Sequence, residues 1–134
     1  MFPIEFTFDG PPLSLQSKNK VRKRAYKQNI ETIARGILPA GFVVSPDDLE
    51  ITITYYHDGA SPDVDNIIKP IQDALVGVVY VDDKQIAHST SRKRDINRGY
   101  KVRHVSACIL ESFGKGNDFI HVKVDTHTPS EDLD

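Results

Sequence analysis

The stretch "LEITITYYHDGASPDVDNIIKPIQDALVGVVYVDDKQI", residues 49–86, passes from one periodicity to another. Over 49–57, Leu49, Ile51, Ile53 and Tyr55 alternate with polar partners, the period of a half-buried strand. Asp58 to Pro62 is a turn-rich break. From about 66 to 78 the spacing becomes helical, with Ile67, Ile68, Ile71, Leu75, Val78 and Val79 forming an apolar stripe. Gly77 falls at the end of that helix. Pro70 lies a turn inside its start, where the missing backbone donor predicts a distorted first turn. "VVYVDD" then runs short and extended into the following segment.

Outward from this unit, "FPIEFTFDG" alternates Ile4, Phe6 and Phe8 against Glu5, Thr7 and Asp9, a strand stopped by Gly10-Pro11-Pro12. Residues 19–38 carry Tyr26, Ile30, Ile33 and Ile37 at helical spacing, with Gly41 and Pro46 marking the loop beyond. Downstream, 86–95 and 102–111 read as two strands joined by a hairpin turn near Asn97-Arg98-Gly99. "FIHVKV" (119–124) reads as a further strand, and the last ten residues as a polar, frayed tail. The expected fold is therefore one small α/β (α+β) domain. It has a mixed β-sheet with two main helices packed on it, in the order β-α-β-α-β-β.

A chain of 134 residues favours one domain with a genuine core and little room for a second. No apolar run is long enough to span a bilayer and no signal peptide opens the chain, so a cytosolic setting is the default. The single cysteine excludes an internal disulfide framework. Cys108 lies in the alternating stretch "VSACIL" and reads as a buried structural thiol. His57 reads as a surface imidazole. His121 and His127 share no ligand spacing with a third residue, so zinc is not expected. Tyr55, Tyr56 and Tyr80 read as core or interface aromatics.

The net charge of −2 argues against a nucleic-acid partner, but the distribution reverses that reading. Twelve of the seventeen Lys and Arg residues fall in two windows. "KNKVRKRAYK" (18–27) supplies Lys18, Lys20, Arg22, Lys23, Arg24 and Lys27 with no acid. "RKRDINRGYKVR" (92–103) opens with Arg92, Lys93 and Arg94 and contains one acid. Local stripes of this kind, rather than totals, form the footprint a polyphosphate meets. The bases Lys20 to Arg24 also sit at the start of a predicted helix, where the macrodipole disfavours cations unless a phosphate joins them.

Residues 61–86 hold five aspartates, four of them in two tight pairs flanking the central helix. Asp63 and Asp65, two apart in an extended segment, point the same way, and like charges so placed repel. A divalent cation resolves the conflict. All-oxygen ligands suit a hard ion such as Mg2+, with Mn2+ as a substitute, rather than Zn2+. If Asp82 and Asp83 return to the same rim, a site of three or four carboxylates results. Plainer roles compete: Asp65 or Asn66 as a helix cap, Asp82-Asp83 as a turn, and Lys69 in surface ion pairs with Asp65 or Asp73. An EF-hand starting at Asp63 fails, because its sixth and twelfth places hold Ile68 and Ala74 instead of glycine and glutamate. A sugar-nucleotide D-x-D site needs a larger domain, and no glycine-rich phosphate loop implies an organic cofactor.

"PDVDNIIKPIQDALVGVVYVDDKQI" resembles the signature of the RusA family of endodeoxyribonucleases, Holliday-junction resolvases of bacteria and prophages. The family pattern has Asp-x-Asp-Asn, a lysine four residues after the second aspartate, then Asp-Ala-Leu and Asp-Asp-x-Gln. Its parts here are Asp63, Asp65, Asn66, Lys69, Asp73-Ala74-Leu75 and Asp82-Asp83-Lys84-Gln85. The resemblance is strong over 62–86 and looser over about 4–111. It implies a nuclease domain over 1–114, with an extra strand and polar tail at 115–134. It further implies an Mg2+-dependent homodimer that nicks four-way DNA junctions symmetrically in recombination and repair. Asp63, Asp65 and Asp83 would be the metal-site acids, Lys69 the essential basic residue and Asp82 auxiliary. Family members follow Pro-Pro with a Ser/Asn-rich stretch; here the basic "PPLSLQSKNKVRKR" takes that place. The alternatives are a non-catalytic dimer that binds branched or single-stranded DNA around a structural metal, and a phage- or plasmid-borne regulator.

Overall fold

Alternation and helical spacing decide most of the computed structural model, which describes residues 2–13, 18–58, 67–96 and 106–128. β1 (Ile4–Asp9) turns Ile4, Phe6 and Phe8 inward. α1 (Lys20–Ile37) is capped by Asn19, whose side-chain oxygen accepts the Arg22 N–H at 3.0 Å. β2 (Leu49–His57) and α2 (Ile68–Leu75) follow, then a single 3-10 turn at Asp83–Gln85 that leads into β3 (Ile86–Asp95). α3 (Ala107–Lys115) and β4 (Phe119–Thr126) complete the described elements.

The sheet order is β1-β4-β2-β3. β4 runs antiparallel to both its neighbours, whereas β2 and β3 are parallel. A parallel pair demands a crossover, and α2 supplies it. The single α+β domain with a mixed sheet agrees with the expectation from sequence. The strand anticipated at 119–124 is β4, in the middle of the sheet.

One sheet face carries the main core. Ile4, Phe6, Ile51, Ile53, Ile120, Val122 and Val124 meet Ile30 and Ala34 of α1 and Ile71 and Leu75 of α2. The other face is polar along most of its register, with Thr7 opposite His121 and His121 opposite Thr54. α3 covers part of it. Ser112 Oγ donates to Thr7 Oγ1 at 2.9 Å, and Phe113 packs edge-on against Phe119 and Tyr56, which stack on each other at 4.5 Å.

Four expectations are corrected. Residues 107–111 belong to a third helix, not to the second strand of a hairpin; the turn near Asn97-Arg98-Gly99 lies outside the described residues. Cys108, Ile109, Ser112 and Phe113 lie on the less exposed side of α3 while Leu110, Glu111 and Gly114 are exposed, which is helical and not alternating periodicity. Cys108 is accordingly half-buried on a helix, not enclosed in a strand. The central helix is also shorter than 66–78. Its missing turn is a chain reversal in which Gly77, at φ 78°, donates its N–H to the Tyr80 carbonyl at 2.7 Å. Because α2 starts at Ile68, Pro70 falls within its first turn, where an N–H has no intrahelical acceptor, and no distortion is needed.

Candidate active site

The reversal after α2 brings the second aspartate pair back to the lysine of the first turn. Tyr80, fully buried, donates its hydroxyl to the Gln72 carbonyl at 2.6 Å, which pins the returning chain to α2. Gln72 in turn donates from Nε2 to Ser89 Oγ at 2.7 Å, tying α2 to β3. The 3-10 turn is held by a reciprocal cap. Asp82 Oδ1 accepts the Lys84 N–H at 2.9 Å, and Gln85 Oε1 accepts the N–H groups of Val81 and Asp82 at 2.8 and 2.9 Å. The same Gln85 side chain donates from Nε2 to the carbonyls of Ser45 and Asp47 at 2.7 and 2.8 Å. One glutamine therefore fixes the turn internally and fastens it to the loop before β2.

So placed, Asp83 meets Lys69. Lys69 Nζ lies 2.9 Å from Asp83 Oδ2 and 2.9 Å from Asp73 Oδ1. Hydrogen bonds to Asp73 and then Asp83 raise the ammonium's pKa well above the ordinary lysine value, so Lys69 is a fixed cation. Conversely, the Lys69 ammonium holds the Asp83 carboxyl below the usual carboxylate range, and Asp83 is ionised at neutral pH. Lys27 of α1 approaches the other Asp73 oxygen at 3.8 Å. All four side chains remain accessible to solvent.

Asp63, Asp65 and Asn66 lie outside the described residues. The position that caps α2 is Ile67, which makes no side-chain cap bond. The segment carrying the first aspartate pair leaves the sheet at a well-anchored point. Asp118 accepts the Tyr55 hydroxyl on Oδ2 and the Asp58 N–H at 2.9 Å on Oδ1, and its carbonyl accepts the Gly10 N–H at 3.0 Å. Sequence reasoning missed Asp118, because its partners are more than 50 residues away in the chain.

The first basic window forms the start of α1, whose first turn contains no acid. Lys18, Lys20, Arg22, Arg24 and Lys27 are exposed and Lys23 is half-buried, so the window runs from the helix N-terminus to the Lys27–Asp73 pair. Arg92, Lys93 and Arg94 are exposed on β3, at a sheet edge. The register sets Arg94 beside Tyr56 and Asp95 beside His57, at the end of β2 from which the Asp63–Asp65 segment departs.

His121 does not join His127, whose ring lies parallel to that of His88 at 6.5 Å. It joins Glu5 and Cys108 instead, with one ligand atom from each of the three residues within 4.8 Å of the others. No spacing rule connects residues from β1, α3 and β4.

The described residues thus form a small mixed α+β domain in which an ionised aspartate is paired with a lysine cation. The family model described as Endodeoxyribonuclease RusA matches residues 15–103, and the chain belongs to that family of Holliday-junction endonucleases. The match takes in α1, β2, α2 and β3 and ends before α3 and β4. Comparison with curated proteins yields no match. Among the described residues, no helix is long and apolar enough to cross a membrane.

Proposed function

We propose that the chain is an Mg2+-dependent, structure-selective endodeoxyribonuclease that acts as a homodimer and resolves four-way junctions by paired symmetric nicks. The supporting observation is the approach of Lys69, in the first turn of α2, and Asp83, beyond the helix's C-terminal end, to 2.9 Å. The donor set fits a hard divalent ion, since Asp63, Asp65 and Asp83 offer only carboxylate oxygens and Asp83 needs no proton removed. When bound, Mg2+ or Mn2+ would supply polarisation of the scissile phosphate and acidification of a water molecule. Asp82 is spent on the cap through one oxygen, which leaves it a supporting role.

Lys69 supplies positive charge where the reacting phosphate gathers negative charge, and it does so as an ammonium, not as a proton acceptor. Asp73 holds that ammonium in place from within α2. An all-acid rim repels DNA, so attraction falls to the bases of α1 and of β3. Lys18, Lys20, Arg22, Lys23, Arg24 and Lys27 would meet backbone phosphates on one side, and Arg92, Lys93 and Arg94 on the other.

The test is cleavage of a synthetic four-way junction, with duplex and single-stranded DNA as controls, with and without Mg2+. Metal-dependent nicking of the junction by the unaltered chain, abolished in Asp83→Asn with junction binding and folding retained, is the expected result. A folded chain that binds the junction and leaves every strand intact with Mg2+ or Mn2+ would establish the non-catalytic binder instead.

A further inference from the structure

On the sheet face away from α1 and α2, the side chains of Glu5, Cys108 and His121 converge from β1, α3 and β4. His121 is more than nine-tenths buried, with 6 % of its surface exposed, and among the described residues its Nε2 has no hydrogen-bond partner. Glu5 Oε1 stands at 3.8 Å, beyond hydrogen-bonding reach. A buried ring nitrogen left without a partner is costly, and here it faces a carboxylate and a thiol. Carboxylate, imidazole and thiol together are a ligand set for a borderline-soft cation, unlike the all-oxygen set around Asp83.

We propose that Glu5, Cys108 and His121 form a second metal site, for a thiophilic divalent cation of the Zn2+ class, that pins α3 to the sheet. Bonds of about 2.0–2.3 Å in tetrahedral array put ligand atoms roughly 3.3–3.7 Å apart. The three ligand atoms lie within 4.8 Å of one another, and each pair reaches that range with at most about 1.1–1.5 Å of relative side-chain movement. Binding takes the Cys108 proton to solvent, and thiolate and carboxylate then balance the two positive charges of the ion. Cys108 lies in the first turn of α3. Ser106 Oγ, 3.3 Å from Cys108 Sγ, is placed to donate to that thiolate as an outer hydrogen bond. Lys123, 3.9 Å from Glu5 Oε1, and Arg92, which acts electrostatically on His121, are the surrounding cations. With two anionic ligands the site tolerates them. The fourth position is left to water. The role is structural: the ion would add to the Ser112–Thr7 hydrogen bond and the Phe113 ring contacts, which tie α3 to the sheet.

This inference stands independently of the nuclease reading, and a spectroscopic probe separates the two sites. Metal-free full-length protein titrated with Co2+ should show thiolate-to-cobalt charge-transfer absorption that saturates at one ion per chain and is displaced by Zn2+. A site of carboxylates alone gives no such absorption, so Asp83→Asn should leave it unchanged. Outer-shell losses cost about 10- to 100-fold in metal affinity. Removing a ligand in His121→Gln should therefore shift the Co2+ midpoint by about 100-fold or more, and Cys108→Ser should abolish the band. Since a variant can fail through misfolding, the unaltered chain carries a second readout. Zn2+ should protect the Cys108 thiol from a thiol reagent and raise the thermal midpoint, and a chelator should reverse both. Absence of the charge-transfer band in unaltered protein, or a thiol that reacts equally fast with and without Zn2+, overturns the site.

Discussion

Lys69 Nζ stands 2.9 Å from a carboxylate oxygen of Asp73, one turn along its own helix, and the same distance from one of Asp83, fourteen residues away. The first contact is a local consequence of i,i+4 spacing. The second is not local, and exists only because the chain reverses at Gly77 and is clamped by Tyr80 and Gln85. Replacing Lys69 by Met should lower junction cleavage by about 100-fold or more, the typical cost of losing a charge-stabilising donor. The side chain is half exposed, so the thermal midpoint should hold. Lys69→Arg should recover part of the rate, since charge and not proton transfer is the residue's task. A Lys69→Met chain that cleaves at the normal rate removes the role.

Gln85 is predicted to be a positioning residue. Its amide joins Val81 and Asp82 to Ser45 and Asp47 through four hydrogen bonds. With each bond worth about 0.5–1.5 kcal/mol net, loss of all four in Gln85→Ala should destabilise the domain by roughly 2–6 kcal/mol in denaturant unfolding. Cleavage should fall further than junction binding does, because Asp83 loses its support while the basic stretches keep theirs. An equal fall in both would mean that Gln85 serves only stability.

Asp118→Ala should act at the opposite end of the sheet. It strips the Tyr55 hydroxyl, on a ring 1 % exposed, of its acceptor and removes the Asp58 N–H bond to Asp118 Oδ1. An unsatisfied buried group costs about 1–3 kcal/mol, measurable by chemical denaturation. Since the Asp63–Asp65 segment begins just beyond Asp58, reduced cleavage at saturating junction concentration should accompany the loss. Retention of full cleavage with lowered stability would confine Asp118 to the fold.

The bases of α1 should report phosphate contact through salt. Reversing Arg22 and Arg24 to Glu should weaken junction and duplex binding alike. The slope of log affinity against log salt should fall by about one for each phosphate contact removed. Both side chains are exposed, so the fold should be unaffected. Affinity unchanged across a salt series would leave the window as a solvated helix face.

Much of this was legible beforehand because it rests on local periodicity. Alternation in 4–9 and 49–57 marked β1 and β2, and the helical spacing of Tyr26, Ile30, Ile33 and Ile37 marked α1. What failed was local ambiguity or tertiary coincidence. "VSACIL" alternates weakly enough to suit a strand, and only the continuation to Ser112 and Phe113 reveals a helix. Gly77 was recognisable as a helix end, but not as a left-handed reversal that removes a whole turn from α2. The Lys69–Asp83 contact follows the return that the paired acids suggested, whereas Gln85 as its clamp depends on Ser45 and Asp47, which no spacing links to it. Glu5, Cys108 and His121 meet only through sheet register and the docking of α3, neither of which a linear pattern encodes.

The central claim is that acids from both flanks of α2 hold one hard cation site beside Lys69. Diffraction from crystals soaked in Mn2+, read by anomalous scattering, tests it most directly. The account predicts an Mn2+ peak within about 2.2 Å of an Asp83 carboxylate oxygen, with Asp63 and Asp65 completing the protein ligands. A fully occupied Mn2+ bound by Asp63 and Asp65 with Asp83 still paired only to Lys69, or no peak at these acids at all, would contradict it.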